Sequence, residues 1–238
     1  MRNLKGLMKD AALNLIFPPV CPVCGKPATG YIHPECEERL VPVNRQRCIV
    51  CGKQLGDGRE TLCLDCRHRR HEFNQTISVF QYTEAARQCI YRLKYKNKRE
   101  YAAPLGHLMW KYAGRRIRFY RPEVIVPVPM YAAKKRRRGY NQAELLAQVL
   151  SRESGIPCAP DALIRTRATR PMKELSGGER AANLAGAFQA DGPLPWKRVL
   201  LLDDIYTSGS TLDACAAALK EAGVQEVCGI CLCTGEGF

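Results

Sequence analysis

The sequence predicts an α/β fold, a parallel sheet flanked by helices, with a small cysteine-stapled module in front of it. Three observations carry this. From residue 76 onward, short apolar runs alternate with segments of helical spacing, the pattern of βαβ units. Residues 21–66 hold repeated Cys-x-x-Cys pairs and few aliphatic side chains. Near the C-terminus, four apolar residues lead into two carboxylates, a loop of small hydroxyl residues and a helix.

The elements follow in order. Leu4, Leu7, Met8, Ala11, Leu15 and Ile16 share helical spacing, and Phe17-Pro18-Pro19 ends that run. Residues 1–19 therefore read as an amphipathic helix, docked on its own protein or lying on a membrane surface. Residues 20–71 form the cysteine module, closed by a polar connector, Arg67-His68-Arg69-Arg70-His71. Residues 72–238 form the α/β domain. Within it, Thr76–Tyr82 has strand composition, and 84–95 and 101–118 read as helices. Glu123–Pro127 is a short strand and Asn141–Arg152 a helix. Val199–Leu202 is apolar throughout, as in a central strand buried on both faces. Ser210–Ala222 is a helix stopped by Gly223, and Val227–Cys233 is a last strand.

The chain has 238 residues, of which 46% are hydrophobic, enough for a packed core. No stretch approaches the ~18 apolar residues of a membrane-spanning helix. The first 20 residues lack an uninterrupted apolar run of signal-peptide type. The expectation is a cytoplasmic protein in a reducing compartment, where paired cysteines point to metal rather than disulfides.

Charge is concentrated. The formal net charge is +14, and residues 85–140 hold 16 Lys or Arg against two acids, Glu100 and Glu123. The rest of the chain is balanced. Such a stretch predicts a polyanionic partner: nucleic acid, a phosphorylated ligand or anionic lipid. Lys94, Lys96, Lys98 and Arg99 interleave there with Tyr91, Tyr95 and Tyr101, a composition that suits stacking on single-stranded nucleic acid and also an ordinary amphipathic helix.

The cysteine module offers eight ligands in four pairs: Cys21 and Cys24, His33 and Cys36, Cys48 and Cys51, Cys63 and Cys66. Eight ligands fit two tetrahedral Zn²⁺ sites with no open position, hence structural rather than catalytic zinc. Gly25 and Gly52 follow the second cysteine of their pairs, where a knuckle needs backbone freedom. The pairs can be used sequentially or cross-braced.

The segment Val199-Leu200-Leu201-Leu202-Asp203-Asp204-Ile205-Tyr206-Thr207-Ser208-Gly209-Ser210-Thr211 carries the clearest chemistry. Ligands of open α/β sheets bind at the carboxyl ends of strands. Successive N–H groups entering a helix make an anion nest, and Thr207, Ser208, Ser210 and Thr211 add hydroxyls. The loop has no Lys and the chain no G-x-x-x-x-G-K-[ST], which disfavours a P-loop NTPase. A phosphate cradle beside two carboxylates suits a phosphorylated sugar.

This segment resembles the 5-phosphoribosyl-1-pyrophosphate (PRPP) signature of type I phosphoribosyltransferases. The resemblance implies that Asp203 and Asp204 contact the ribose hydroxyls as the candidate catalytic pair. It further implies that Thr207, Ser208, Gly209, Ser210 and Thr211 hold the 5′-phosphate. Val126-Pro127-Val128-Pro129, Arg136 to Ala147, Arg180 to Phe188 and the paired ribbon module together resemble the ComF family of competence-associated proteins. Met172 stands where that family has Gln. By this resemblance Val128, Pro129, Met130, Arg137 and Arg138 face pyrophosphate, Mg²⁺ accompanies PRPP, and Arg165 to Glu179 close over it. The resemblance also implies single-stranded DNA and a DNA-uptake helicase as partners. A metabolic phosphoribosyltransferase acting on a base or amine and a non-catalytic PRPP sensor are the alternatives.

Overall fold

The computed structural model describes residues 19–56, 58–95, 99–168, 183–184 and 186–235. The expected helix over residues 1–19 falls almost wholly outside them, as do Lys96, Lys98 and most of the segment expected to close over PRPP.

The elements are α1 (Pro34–Glu37), α2 (Leu64–His68), β1 (Gln75–Gln81), α3 (Glu84–Tyr95), α4 (Ala102–Tyr120), β2 (Val124–Pro127), α5 (Ala132–Arg138), α6 (Gln142–Ser154), β3 (Leu163–Arg165), β4 (Phe188–Ala190), β5 (Arg198–Tyr206), α7 (Ser210–Glu221) and β6 (Glu226–Thr234). Four strands form a wholly parallel sheet in the order β1-β6-β5-β2. The two short strands β3 and β4 pair antiparallel on their own.

Along β5 successive side chains point to opposite faces of the sheet. Leu200 and Leu202 join Leu93, Leu108, Met109 and Leu146 in the core under α3, α4 and α6. Val199 and Leu201 join Leu212, Cys215 and Leu219 in the core under α7. Both faces are covered, which explains why this strand lacks apolar–polar alternation.

The cysteine module packs directly on this sheet. Val43 N–H donates to Val79 O and Gln81 N–H to Val41 O, so the segment covers the free edge of β1. An uncovered edge would invite pairing with another chain. Cys21, Val23, Cys36 and Leu40 belong to the α3/α4/α6 core. Cys48, Cys51 and Phe73 belong to the α7 core. Each half of the module thus joins a different layer.

Two expectations need correction. The strand through Val199–Leu202 runs on to Tyr206, so the two carboxylates lie within it; Asp203 pairs with Cys231 and Ile205 with Cys233 of β6. The connector 67–71 is only partly polar surface. Its first residues continue α2, and the side chain of His71 is buried at 1% exposure. The β3–β4 pair was not expected, because three-residue strands leave no readable periodicity.

Candidate functional site

Two metal-ligand sets are assembled. The donor atoms of Cys21, Cys24, His33 and Cys36 all lie within 4.8 Å of one another, and so do those of Cys48, Cys51, Cys63 and Cys66. The grouping is sequential, not cross-braced. Each set begins in the same knuckle: Gly25 N–H donates to Cys21 O and Gly52 N–H to Cys48 O, both at 2.9 Å. Cys21 N–H and Cys48 N–H donate in turn to Lys26 O and Lys53 O. Burial disfavours the thiolates of Cys21 and Cys48, but the surrounding backbone N–H groups win, and both thiols come down to about 7. His33 Nε2 faces Pro27 O at 3.0 Å, which leaves Nδ1, 3.4 Å from Cys24 Sγ, toward the thiols. A ligating His commonly donates its other ring N–H to a carbonyl in this way. Sulfur and nitrogen donors in closed sets of four fit structural zinc.

The second constellation stands at the carboxyl end of β5. Asp204 is buried, accepts from Gln142 Nε2 at 3.1 Å and forms an ion pair with Lys94 of α3. Burial opposes its ionisation, yet Lys94 and the two hydrogen-bonding neighbours hold its carboxyl below the ordinary carboxylate range. Asp203, half-buried, accepts from the Asp204 N–H at 2.8 Å. Burial, and the Asp204 charge beside it, push its carboxyl up to about 8. Two adjacent carboxylates are thus driven apart in proton affinity.

The loop Thr207–Gly209 follows, with α7 starting at Ser210. Gly209 takes φ 77°, and a Cβ there would meet Tyr206 Oη at 2.6 Å. Only glycine fits this turn. Ser208 and Ser210 hydroxyls lie 3.0 Å apart; Thr207 is exposed and Thr211 half-buried.

Opposite lies the end of β2. Val128 N–H donates to Leu202 O at 2.8 Å, and Val128 O accepts from Asn141 at 3.0 Å. Pro129 and Met130 are half-buried there. Arg138 donates to Gln142 Oε1, which links α5 to the acidic pair through one side chain. A cavity of about 560 Å³ opens between Lys94, Tyr95, Arg99, Lys134, Arg137 and Arg138. Arg138 lies 5.3 Å over the Tyr95 ring and Arg99 5.1 Å over that of Tyr140. The Tyr91 and Tyr95 rings are 5.0 Å apart and both exposed.

The sequence reading missed Gln142, Arg69, His71 and Asp213. Arg69 Nη1 lies 3.4 Å from Ser208 O and from Ser210 Oγ, so a cation reaches the loop from the cysteine module. No local motif announces a contact across about 140 residues.

Comparison with known proteins agrees with this organisation. A double zinc ribbon family model matches residues 12–67, and a phosphoribosyl transferase domain model matches residues 107–237. Competence protein F of Haemophilus influenzae is 33% identical over 186 residues, which cover 76% of this chain and 81% of that protein. The chain belongs to the ComF family. DNA utilization protein YhgH of Escherichia coli K12, 31% identical, is covered over 98% of its length and 92% of this chain. Competence protein ComFC of Bacillus subtilis is 26% identical, with 79% of this chain and 77% of that protein covered. A purine phosphoribosyltransferase from Pyrococcus horikoshii overlays with a TM-score of 0.31 at 17% identity, covering 56% of this chain and 72% of that one. An overlay that loose adds nothing to the fold assignment, which rests on the parallel sheet and the domain match. Among the described residues, no helix is long and apolar enough to cross a membrane.

Proposed function

We propose that this ComF-family protein binds PRPP at the carboxyl end of β5 and engages single-stranded DNA along the adjoining cationic groove, in the service of DNA uptake. The observation that carries the reading is the acidic pair Asp203–Asp204 at the strand end, followed at once by the small-residue loop and the N-terminus of α7.

In this reading the carboxylates accept from the vicinal ribose hydroxyls. Backbone N–H groups of residues 208–211 and the hydroxyls of Thr207, Ser208, Ser210 and Thr211 receive the 5′-phosphate. Val128, Pro129 and Met130 border the pyrophosphate, with Arg137 and Arg138 supplying charge. Mg²⁺ bound with PRPP would neutralise the pyrophosphate and polarise it as a leaving group. Lys94 keeps Asp204 ionised between ligands.

DNA engagement rests on charge and aromatic placement. Six cations line one groove beside two exposed tyrosines, and bases stack on such rings irrespective of sequence. The relatives named for competence and DNA utilization point the same way. A helicase partner and a cytoplasmic location complete the proposal.

Calorimetry with Mg-PRPP tests the first half: wild type should bind, and Asp203→Asn/Asp204→Asn should not. For the second half, affinity for an oligothymidylate should fall steeply with salt, as phosphate contacts require. Salt-insensitive or absent DNA binding would leave a metabolic transferase or a PRPP sensor as the better description.

A further inference from the structure

The second cysteine ribbon and the phosphate loop are held together by a short chain of polar contacts. His71 Nε2 lies 3.6 Å from Cys66 Sγ, and its Nδ1 lies 3.0 and 3.1 Å from the two carboxylate oxygens of Asp213 in the first turn of α7. Glu72 N–H donates to the same carboxylate at 2.9 Å, and so does Arg69 Nη2. Arg69 Nη1 then reaches Ser208 O and Ser210 Oγ, both at 3.4 Å. The His71 ring stacks on Phe73, whose ring meets Tyr206 edge-on at 6.2 Å. A Cβ at Gly209 would come within 3.0 Å of His71 Cε1. The loop therefore rests on residues that directly follow Cys66.

Asp213 faces three partners, His71, the Glu72 N–H and Arg69, and its 2.9 Å ion pair with Arg69 holds the guanidinium in place. An Arg fixed by a carboxylate presents its planar fork with little rotamer entropy left to lose, which suits bidentate recognition of phosphate. Its neighbours in the connector are placed otherwise. Arg67 pairs with Glu60 on the ribbon, and Arg70 is exposed. Arg69 alone of the three reaches the loop, and its side chain is still 32% exposed, open to an incoming anion.

We propose that Arg69, supplied by the second ribbon and oriented by Asp213 and His71, is a binding residue for the 5′-phosphate of the phosphoribosyl ligand. The proposal deepens the PRPP reading and rests on it. It gives the second ribbon a task beyond covering the sheet. The ribbon brings a cation to a loop that has none of its own.

The test is calorimetry of the full-length, zinc-loaded chain with Mg-PRPP, ribose 5-phosphate and Mg-pyrophosphate. Zinc content is measured alongside. For Arg69→Gln we expect ribose 5-phosphate and PRPP to bind about 10- to 100-fold more weakly, the worth of one charge-assisted contact. Pyrophosphate should bind within about twofold of wild type, since its candidate residues lie on β2 and α5. Arg69→Lys should recover part of the loss. Both variants should keep two zinc ions per chain. Unchanged binding of ribose 5-phosphate by Arg69→Gln overturns the proposal and leaves the PRPP reading standing. So does an equal loss for pyrophosphate, or a loss of zinc in both variants that tracks the loss of binding. If wild type itself binds neither PRPP nor ribose 5-phosphate, while keeping its zinc, the PRPP reading fails and the proposal with it.

Discussion

The two ribbons are built alike and placed differently. Both start with a Cys-x-x-Cys-Gly knuckle and both gather four donors within 4.8 Å. The first packs under α3 and α4. Arg92 of α3 donates to Pro22 O and Val23 O, and Lys111 and Tyr112 of α4 both reach Glu37. The second packs against β1 and α7: Thr76 N–H of β1 donates to Val50 O at 2.7 Å, and Arg69 pairs with Asp213 of α7 at 2.9 Å. A closed set of four donors thus braces a helical layer in one case and the wall of the proposed PRPP site in the other. What a structural metal site does is decided by its neighbours, not its ligands.

The strongest way to break this contrast is to remove one metal at a time. Cys66→Ser should leave about one zinc per chain and weaken Mg-PRPP binding by at least about 100-fold, because coordination free energy is folding free energy for the ribbon that carries Arg69. Cys24→Ser should also leave about one zinc but keep PRPP affinity within several-fold, while lowering the melting temperature. Equal effects on PRPP binding would show that the two ribbons are interchangeable.

Next comes the acidic pair, where Lys94 and Gln142 hold Asp204. Asp204→Asn strands the Lys94 ammonium in a largely buried position, and breaking a buried pair costs about 3–5 kcal/mol. Denaturant unfolding should show that loss, together with abolished PRPP binding. Asp203→Asn should abolish binding with a far smaller stability change. Its carboxyl sits at about 8 in the folded protein. Between the ordinary carboxylate value and that pH, the folded chain holds a proton the unfolded chain has released, so this group's stability contribution falls as pH rises. PRPP affinity should move the opposite way and tighten up to about pH 8, as Asp203 becomes an acceptor. A pH-independent affinity would contradict this.

The knuckle glycines sharpen the contrast further. Gly25 has φ 78° and Gly52 φ 70°, so alanine at either pays about 1–2 kcal/mol of left-handed strain. At Gly52 the new Cβ would also sit 2.5 Å from Thr76 O of β1, whereas at Gly25 it would meet only the movable end of Arg92 at 3.6 Å. Gly52→Ala should therefore unfold at clearly lower denaturant than Gly25→Ala. The smallest effect belongs to Glu37→Gln on the first ribbon. Its Lys111 partner is half exposed, so the change should cost about 1 kcal/mol or less and leave PRPP binding untouched.

Much of this was legible in the sequence. The apolar runs gave the strands because both sheet faces are covered, and α3 falls where its spacing placed it. The metal ligands were readable because knuckle spacing is local. The acidic pair and its loop were readable because one strand–loop–helix segment holds them. Contacts between distant segments were not. Gln142 reads as an ordinary first-turn helix residue, yet it bridges Arg138 and Asp204. Arg69 reads as one basic connector residue among several, and only the docking of the second ribbon on α7 sets it apart. The sequential use of the cysteine pairs was open for the same reason, since spacing alone allows either arrangement.

The opening charge excess also finds its place. Of the cations in residues 85–140, Lys94, Arg99, Lys134, Arg136, Arg137 and Arg138 line one groove. Arg69, which reaches Ser208 O and Ser210 Oγ, comes instead from the electrically balanced remainder of the chain.

The most direct test of the account is calorimetric titration of the zinc-loaded protein with Mg-PRPP, wild type against Asp203→Asn/Asp204→Asn. The account predicts saturable binding by wild type and none by the double variant. No binding by wild type, or equal binding by both, would contradict it.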